Sequence, residues 1–382
     1  MPDSEAGSDA PTPDAVAASD STDQPATDAG GGFARRHRRA LGAVVAAIAL
    51  LGLIHFVLPQ IMVLGATLRR LRDADVWWLI LGVVLESASI FGQVVLLRGV
   101  FSGNLDRVGW RLSCDITLAG SAATKLLATA GAGGVALTVW ALRSDGLPGD
   151  EVATGMVCYD ILTYFVYMMT LAIVGFGLWL GFFSGPAPLG ITLIPAIFGT
   201  VVMTVVGSML FVDKPVERWL LSRADAAKGR AQRWLRRLAS WPRTLQGGLT
   251  AGRAMIRRRD VSLLGPVAGW GFDIGTLWAS FHAFGHPPSA AVLVMAYYVG
   301  TLANTLPLPG GVGGVESGMI GSFLAFGVNG SLAVLAVLAY RTISYWLPTI
   351  PGTLAYFRLR RIFAAARDTP ADVGEPPVVS SS

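Results

Sequence analysis

The sequence predicts an all-α polytopic membrane protein with about six spanning helices and two glycine-broken re-entrant hairpins. Of the 382 residues, 53% are hydrophobic and only 14% are charged, whereas a soluble domain carries roughly 25% charged residues. Several apolar runs reach the length of about 20 residues that a helix needs to cross a bilayer. Because no water reaches the backbone there, these runs must be helical. The expected spans are 40–58, 76–97, 154–182, 191–212, 263–284 and 331–351.

A leader and a tail flank this predicted transmembrane domain, which covers residues 35–362. Residues 1–34 contain seven carboxylates and no Lys or Arg, and such a polar stretch cannot bury enough apolar surface to fold. We therefore predict disorder in the leader and in the tail at 363–382. The basic cluster at 35–39 also fits the start of a signal peptide, but the acidic leader and the 19-residue run that follows favour a retained first helix.

A strongly basic segment at 213–260 sets the predicted topology. It carries thirteen Lys or Arg against four carboxylates, so the positive-inside rule places it in the cytoplasm, together with both termini. Trp and Leu residues interleave with the basic ones, which indicates contact with an anionic leaflet of the plasma membrane. Nucleic acid is the disfavoured alternative partner for such a patch.

Two small-residue segments, 113–142 and 290–326, cannot cross the membrane if the charged loops are to stay on their predicted sides. Each is therefore expected to enter the membrane, turn and leave on the same face. A spanning helix flanks each hairpin on both sides, and the two units have opposite orientations. Residues 76–182 and 261–352 are thus predicted to form an inverted repeat, whose broken helices meet near the midplane and form a transport site.

The strongest local motif runs from Asn304 to Glu316, where prolines and glycines interrupt an apolar stretch. Proline removes an amide donor, glycine permits positive φ, and such backbone is tolerated at membrane depth where it lines a wet cavity. The helix that restarts near Gly314 would present free amides to a lipid phosphate. A kinked helix whose glycines only allow close packing is the alternative. The predicted binding residues are Asn304, Pro307, Pro309, Gly310, Gly311, Gly313 and Gly314, with Gly131 and Gly134 in the first hairpin.

Ionisable residues inside the apolar runs are candidates for function, because burying an unpaired charge is expensive. Arg341 must pair with a carboxylate or a phosphate. Lys125 aligns with Asn304 in the repeat, at a shift of 179 residues, and places a positive charge at the first hairpin. Glu316 begins a helix, so helix capping and proton coupling are both open roles. No metal or other cofactor is expected. The secondary candidates are Glu86, Asp160 and Asp273.

The string NTLPLPGGVGGVE from Asn304 to Glu316, with Arg341 downstream, resembles the lysylphosphatidylglycerol synthase transmembrane family. Its members are also called flippase-like or UPF0104 proteins. The resemblance covers about residues 41–359. It implies a domain that moves a lipid with a charged or glycosylated headgroup between leaflets, with a synthase domain that uses aminoacyl-tRNA fused to it in some members.

The sequence departs from this family in its first hairpin, which has Ala128 and Thr138 in place of the usual Pro and Arg. A lysyl-lipid substrate therefore does not follow from the resemblance. Only the predicted leader and tail lie outside the membrane region, so lysyl transfer by this chain is not expected. A separate synthase or glycosyltransferase is a candidate partner.

These observations predict a lipid translocase, not an enzyme, that moves a phospholipid or polyprenyl-phosphate-linked headgroup across the plasma membrane. Two other classes stay open. A membrane-embedded enzyme acting on lipid phosphate would need a nucleophile or base with metal or His partners. A non-transporting scaffold would use the basic loop to recruit cytoplasmic partners.

Overall fold

The computed structural model describes residues 74–101, 109–127, 131–209, 230–302 and 313–368, with 230–243 and 365–368 described as helix only. These ranges contain ten α-helices, one short 3-10 helix and no strand. The all-helical fold is therefore confirmed for the described residues. The helices are α1 Val76–Val100, α2 Trp110–Leu126, α3 Ala132–Ser144, α4 Gly149–Trp179, α5 Leu193–Ser208, α6 Arg230–Arg258, α7 Leu264–Phe284, α8 Ala290–Thr301, α9 Gly314–Ala325 and α10 Gly330–Asp368.

Three of these helices are long and apolar enough to cross a membrane, namely α1, α4 and residues 330–364 of α10. They cover three of the predicted spans. Helix α7 has 21 residues, but α5 has 16 and is shorter than the predicted span at 191–212. The predicted first span at 40–58, the leader and much of the basic segment lie outside the described residues.

Helix α10 continues well past the predicted end of its span, through Pro348 and Pro351 to Asp368. Threonine hydroxyls bond back to carbonyls one turn earlier in this region, as Thr353 Oγ1 does to the carbonyl of Thr349 at 2.8 Å. Phe363 is buried and packs edge-on against Trp140 of α3, with ring centroids 5.5 Å apart. The tail was expected to begin at 363, but this packing holds the first residues of that stretch in the helix.

Helices α1 and α7 pack antiparallel along their whole length. Near one end, the amide of Asp75 donates to the carbonyl of Ala283 at 3.0 Å. Near the middle, Ser89 Oγ donates to the carbonyl of Gly269 at 2.8 Å. Their crossing is close because a Cβ on Gly92 would lie 2.7 Å from the carbonyl oxygen of Gly265. Glycine is therefore needed at this crossing for steric reasons.

The order of helices before α5 recurs after α6: a long helix, two short helices that form a hairpin, and a long helix. In the first hairpin, α2 and α3 approach so closely that a Cβ on Gly134 would lie 2.6 Å from the carbonyl oxygen of Gly120. The second short helix of each hairpin follows a glycine with positive φ, Gly131 at 88° and Gly313 at 81°. These glycines are 182 residues apart, rather than the 179 of the sequence alignment, so Gly131 corresponds to Gly313 and not to Gly310.

The two hairpins also pack against equivalent partners in the opposite half. Helix α2 runs antiparallel to α10, with Asp115 bonded to Arg358 at one end and Lys125 bonded to Ser344 further along. Helix α8 contacts α4, where the Tyr167 hydroxyl donates to the carbonyl of Tyr298 at 2.8 Å. Each half therefore holds the hairpin of the other.

Replacing Gly92 with Ala should destabilise the fold, because the new methyl group would overlap the backbone of α7. Overpacking of this kind costs about 2 kcal/mol. Thermal unfolding of the purified protein in detergent measures the effect. Gly271→Ala is the matched control, since a Cβ there has no neighbour within 4 Å, and it should leave the unfolding temperature unchanged or slightly raised. Equal behaviour of the two variants would contradict the close crossing.

Candidate functional site

A cavity of about 790 Å³ lies where the two halves meet, lined by residues of α1, α2, α3, α4, α7, α8 and α10. Its size falls in the range of small-molecule sites, roughly 300–1,000 Å³. The structure brings to its walls seven residues that the sequence singled out from distant positions: Glu86, Lys125, Gly131, Gly134, Asp160, Asp273 and Arg341.

Arg341 is fixed at the cavity by a buried ion pair. Its Nε donates to Glu316 Oε1 at 2.8 Å, and both residues are nearly inaccessible, 7% and 9% exposed. Glu316 Oε2 accepts the amide of Gly313 at 2.7 Å. Because Glu316 is the third residue of α9, this bond caps the helix N-terminus. Of the two roles that the sequence left open, this geometry favours capping and pairing, since both carboxylate oxygens are engaged.

Lys125 reaches across from α2 to α10, where its Nζ donates to the carbonyl of Ser344. In an α-helix this carbonyl would accept the amide of the residue four positions later. That residue is Pro348, which has no N–H. The proline therefore leaves an acceptor at membrane depth, and the lysine ammonium occupies it. The Tyr345 hydroxyl donates to the backbone carbonyl of Lys125 at 3.3 Å and adds a second link between the helices.

Two carboxyl groups, Glu86 on α1 and Asp273 on α7, form the acidic wall of the cavity. Glu86 is 4% exposed and interacts electrostatically with Asp273, Lys125 and Arg341. The Tyr297 hydroxyl donates to Asp273 Oδ2 at 2.6 Å. Within the described ranges, Glu86 Oε2 and Asp273 Oδ1 are buried without a hydrogen-bond partner. Buried polar atoms of this kind are rare and call for a proton, ion or ligand.

Aromatic side chains complete the wall around Asp160 of α4. Trp270 is anchored by its indole Nε1, which donates to the carbonyl of Thr163 at 3.0 Å. Sequence reasoning missed Tyr297 and Trp270 as site residues, because aromatic residues are ordinary in apolar helices. It also missed the acceptor opened by Pro348, although a proline inside a predicted span was a visible signal.

The structure does not place every predicted site residue in the cavity. Asn304, Pro307, Pro309, Gly310 and Gly311 lie outside the described residues, so the proposed phosphate cradle stays a prediction. Gly313 and Gly314 are found where the sequence expected them, at the start of α9, but neither lines the cavity.

Two further expectations concern cysteines and metals. Cys114 and Cys158 are free thiols. The described part of the chain holds no group of three or more His, Cys, Asp or Glu side chains that could bind a metal ion.

The C-terminal part of the basic segment is also visible, as the end of α6. Its glycines pack on α4, where a Cβ on Gly248 would lie 2.6 Å from a methyl of Val157. Its arginines face outward, so this helix joins the helical body through small residues and leaves its charges accessible. The exposed arginines are Arg253, Arg257, Arg258 and Arg259.

Comparison with known proteins agrees with this architecture. A family profile described as the lysylphosphatidylglycerol synthase TM region matches residues 40–352. The chain belongs to this family. The resemblance found in the sequence is thereby confirmed, and with it a lipid-related membrane protein.

Relatives in archaea carry only the description of membrane proteins. A UPF0104 membrane protein of Methanothermobacter thermautotrophicus is 27% identical over 339 residues, which cover 84% of this chain and 95% of the relative. A UPF0104 membrane protein of Methanocaldococcus jannaschii is 35% identical over 91 residues, 24% of this chain and 27% of the relative. One of Pyrococcus horikoshii is 30% identical over 111 residues, 29% and 33% of the two chains.

Removing the Glu316 carboxylate should cost more stability than removing a comparable exposed ion pair. Glu316→Ala takes away the cap of α9 and the carboxylate partner of buried Arg341, and breaking a buried pair costs about 3 kcal/mol. Arg358→Ala is the matched control, because this arginine also pairs with a carboxylate on another helix but its side chain is 66% exposed. Such pairs contribute at most about 1 kcal/mol. Chemical unfolding in detergent compares the variants, and an equal loss would contradict a structural role of Glu316.

Proposed function

We propose that this protein is a lipid translocase that moves a phospholipid or polyprenyl-phosphate-linked headgroup between the leaflets of the plasma membrane. The observation that carries the proposal is the cavity in which both halves of the chain place charged side chains among apolar helices. Charges at such positions are expensive and are retained where a polar substrate must pass. Membership of a lipid-related family supports the same class of function.

Recognition of the headgroup is assigned to the two cations of the cavity. Arg341 is held in place by Glu316, and Lys125 is held by a backbone carbonyl, which can give up its donor to a stronger acceptor. A phosphate oxygen is such an acceptor, because charge-assisted hydrogen bonds are roughly twice as strong as neutral ones. The aromatic wall around Asp160 would contact the apolar parts of the lipid next to the headgroup.

The transport geometry we propose is an inverted repeat that alternates access to the cavity. Its support is the antiparallel packing of α1 and α7, which hold the same position in the two halves. Two halves related in this way can open the shared cavity first to one leaflet and then to the other. The paired short helices are then re-entrant hairpins, and the termini and residues 213–260 are cytoplasmic.

The exposed arginines at the end of α6 are assigned to the anionic cytoplasmic leaflet, which attracts basic residues near its surface. A separate synthase or glycosyltransferase would supply the lipid. The chain itself is proposed to transport the lipid and not to modify it chemically.

Changing Lys125 to Gln should slow lipid translocation about tenfold or more, since a hydrogen bond to a charged group contributes about 1.5–3 kcal/mol. Glutamine keeps a donor for the Ser344 carbonyl and removes only the charge. The measurement is reconstitution into proteoliposomes with fluorescent phospholipids of several headgroups, in which a membrane-impermeant quencher reports the outer-leaflet fraction over time. Arg341→Lys should show a similar loss, because lysine cannot reproduce the guanidinium geometry.

Arg358→Ala is the control for this assay, because it removes a cation of α10 that pairs with Asp115 away from the cavity. It should translocate lipid at the wild-type rate. Equal rates for wild type, Lys125→Gln and Arg341→Lys would overturn the proposed site, and wild-type liposomes no faster than empty ones would overturn the proposed function. Modification of the lipid by purified protein would favour the enzyme alternative.

The inverted topology places Gly149 on the cytoplasmic side and Gly190 outside. Both are exposed, and a Cβ at either site meets no atom closer than 3.5 Å, so cysteine fits at both. In a chain with Cys114→Ser and Cys158→Ala, an impermeant thiol reagent added to intact cells should label Gly190→Cys and spare Gly149→Cys until the cells are opened. Labelling of Gly149→Cys from outside would contradict the topology.

A further inference from the structure

The carboxyl groups of Glu86 and Asp273 meet where α1 crosses α7, on the wall of the cavity. Glu86 is the more buried of the two and is 4% exposed. Each carboxyl group has one buried oxygen, Oε2 of Glu86 and Oδ1 of Asp273, with no hydrogen-bond partner among the described residues. An unpartnered oxygen on each of two interacting carboxyl groups is the arrangement that a shared proton would satisfy.

The charges that face this pair come from every helix packed against it. Lys125 faces it from α2, and Arg341 and Tyr340 from α10. Tyr297 holds Asp273 from α8, and Asp160 lines the same cavity from α4. The Arg341 guanidinium already bonds to the Glu316 carboxylate. The local balance therefore depends on two carboxyl groups and one ammonium group.

If both carboxyl groups were ionised, this set would carry a net negative charge in apolar surroundings. Two neighbouring carboxylates disfavour each other's ionisation, and an uncompensated buried charge costs several kcal/mol. One proton on the pair makes the set neutral, with the remaining negative charge balanced by Lys125. A phosphodiester headgroup that binds Lys125 takes away that balance.

We propose that Glu86 and Asp273 form a proton-binding site, and that this pair and the lipid phosphate compete for Lys125. This proposal rests on the proposed function. A phosphodiester brings one negative charge, which Lys125 neutralises. The carboxylate that thereby loses its cation takes a proton from water in the cavity, so that both carboxyl groups are protonated. Headgroup and proton then occupy the cavity together, and a proton gradient can drive the lipid.

Proton uptake on lipid binding tests the proposal directly. The full-length protein in detergent and weak buffer, with a pH-indicator dye, is titrated with dihexanoyl phosphatidylglycerol, a soluble lipid with one phosphodiester charge. We expect uptake of about one proton for each bound lipid, and an affinity that falls about tenfold for each pH unit of increase, as linkage requires. Binding without proton uptake would overturn the proposal.

The double variant Glu86→Gln/Asp273→Asn should bind the lipid without proton uptake and with an affinity independent of pH. Both positions are changed together, because one remaining carboxylate would still lose Lys125 and take up a proton. Full proton uptake by the double variant would overturn the proposal. Asp115→Asn is the control, since it removes a buried carboxylate of α2 that does not line the cavity, and it should keep the uptake.

Lys125→Arg separates the carboxyl pair from the other titratable group of the set. Arginine stays protonated, so proton uptake by this variant must occur elsewhere, and we expect it to persist. Its loss in a variant that still binds lipid would assign the proton to Lys125 and overturn the proposal.

Proteoliposomes separate this proposal from the proposed function. Wild-type translocation that speeds up when protons can move down their gradient with the lipid supports both. Translocation that ignores the proton gradient, or follows a sodium gradient in its place, overturns the proton site and leaves the translocase standing. A wild-type protein that neither binds nor translocates lipid overturns both.

Discussion

Charges buried among apolar helices need partners, and in this protein the partners come from other helices. Arg341 of α10 bonds to Glu316 of α9, Lys125 of α2 bonds to a carbonyl of α10, and Tyr297 of α8 bonds to Asp273 of α7. Each bond joins a short helix to a long one. The polar network that defines the cavity therefore also fixes the hairpins against the long helices, and neither the cavity nor the hairpins can be altered independently.

Proline and glycine contribute to this network in ways that their usual description as helix breakers does not cover. Pro348 leaves α10 intact and instead frees a carbonyl for the Lys125 ammonium. Gly92 allows α1 and α7 to approach closely enough for Glu86 and Asp273 to interact. Gly313 has the positive φ that starts α9 and places Glu316 beside Arg341. Backbone features thus determine which charges can meet.

The cavity contains more acidic than basic side chains, which bears on its use by a lipid phosphate. Three carboxyl groups line it from α1, α4 and α7, against the two cations Lys125 and Arg341. An anionic headgroup enters such a cavity only if some carboxyl groups are protonated, because like charges in a low dielectric repel strongly. Lipid and proton binding are for this reason linked in the mechanism that we favour, with Lys125 as the group for which both compete.

The sequence by itself determined the class of the protein. Long apolar runs require helices wherever water is absent, and the family motif and the charged residues inside the runs pointed to the site. Glu86, Lys125, Asp273 and Arg341 could be selected in this way because a charge in an apolar run is conspicuous in any arrangement of the helices.

Only the tertiary structure decided which of these charges meet and what each one does. It paired Arg341 with Glu316, 25 residues away in the chain, and Lys125 with Ser344, 219 residues away. It also shifted the correspondence of the two halves to 182 residues, since Gly131 and Gly313 take the same backbone conformation. Side-chain partners depend on helix rotation and on the depth of each crossing. Those quantities are set by close contacts such as Gly92 against Gly265, and a hydropathy pattern does not contain them.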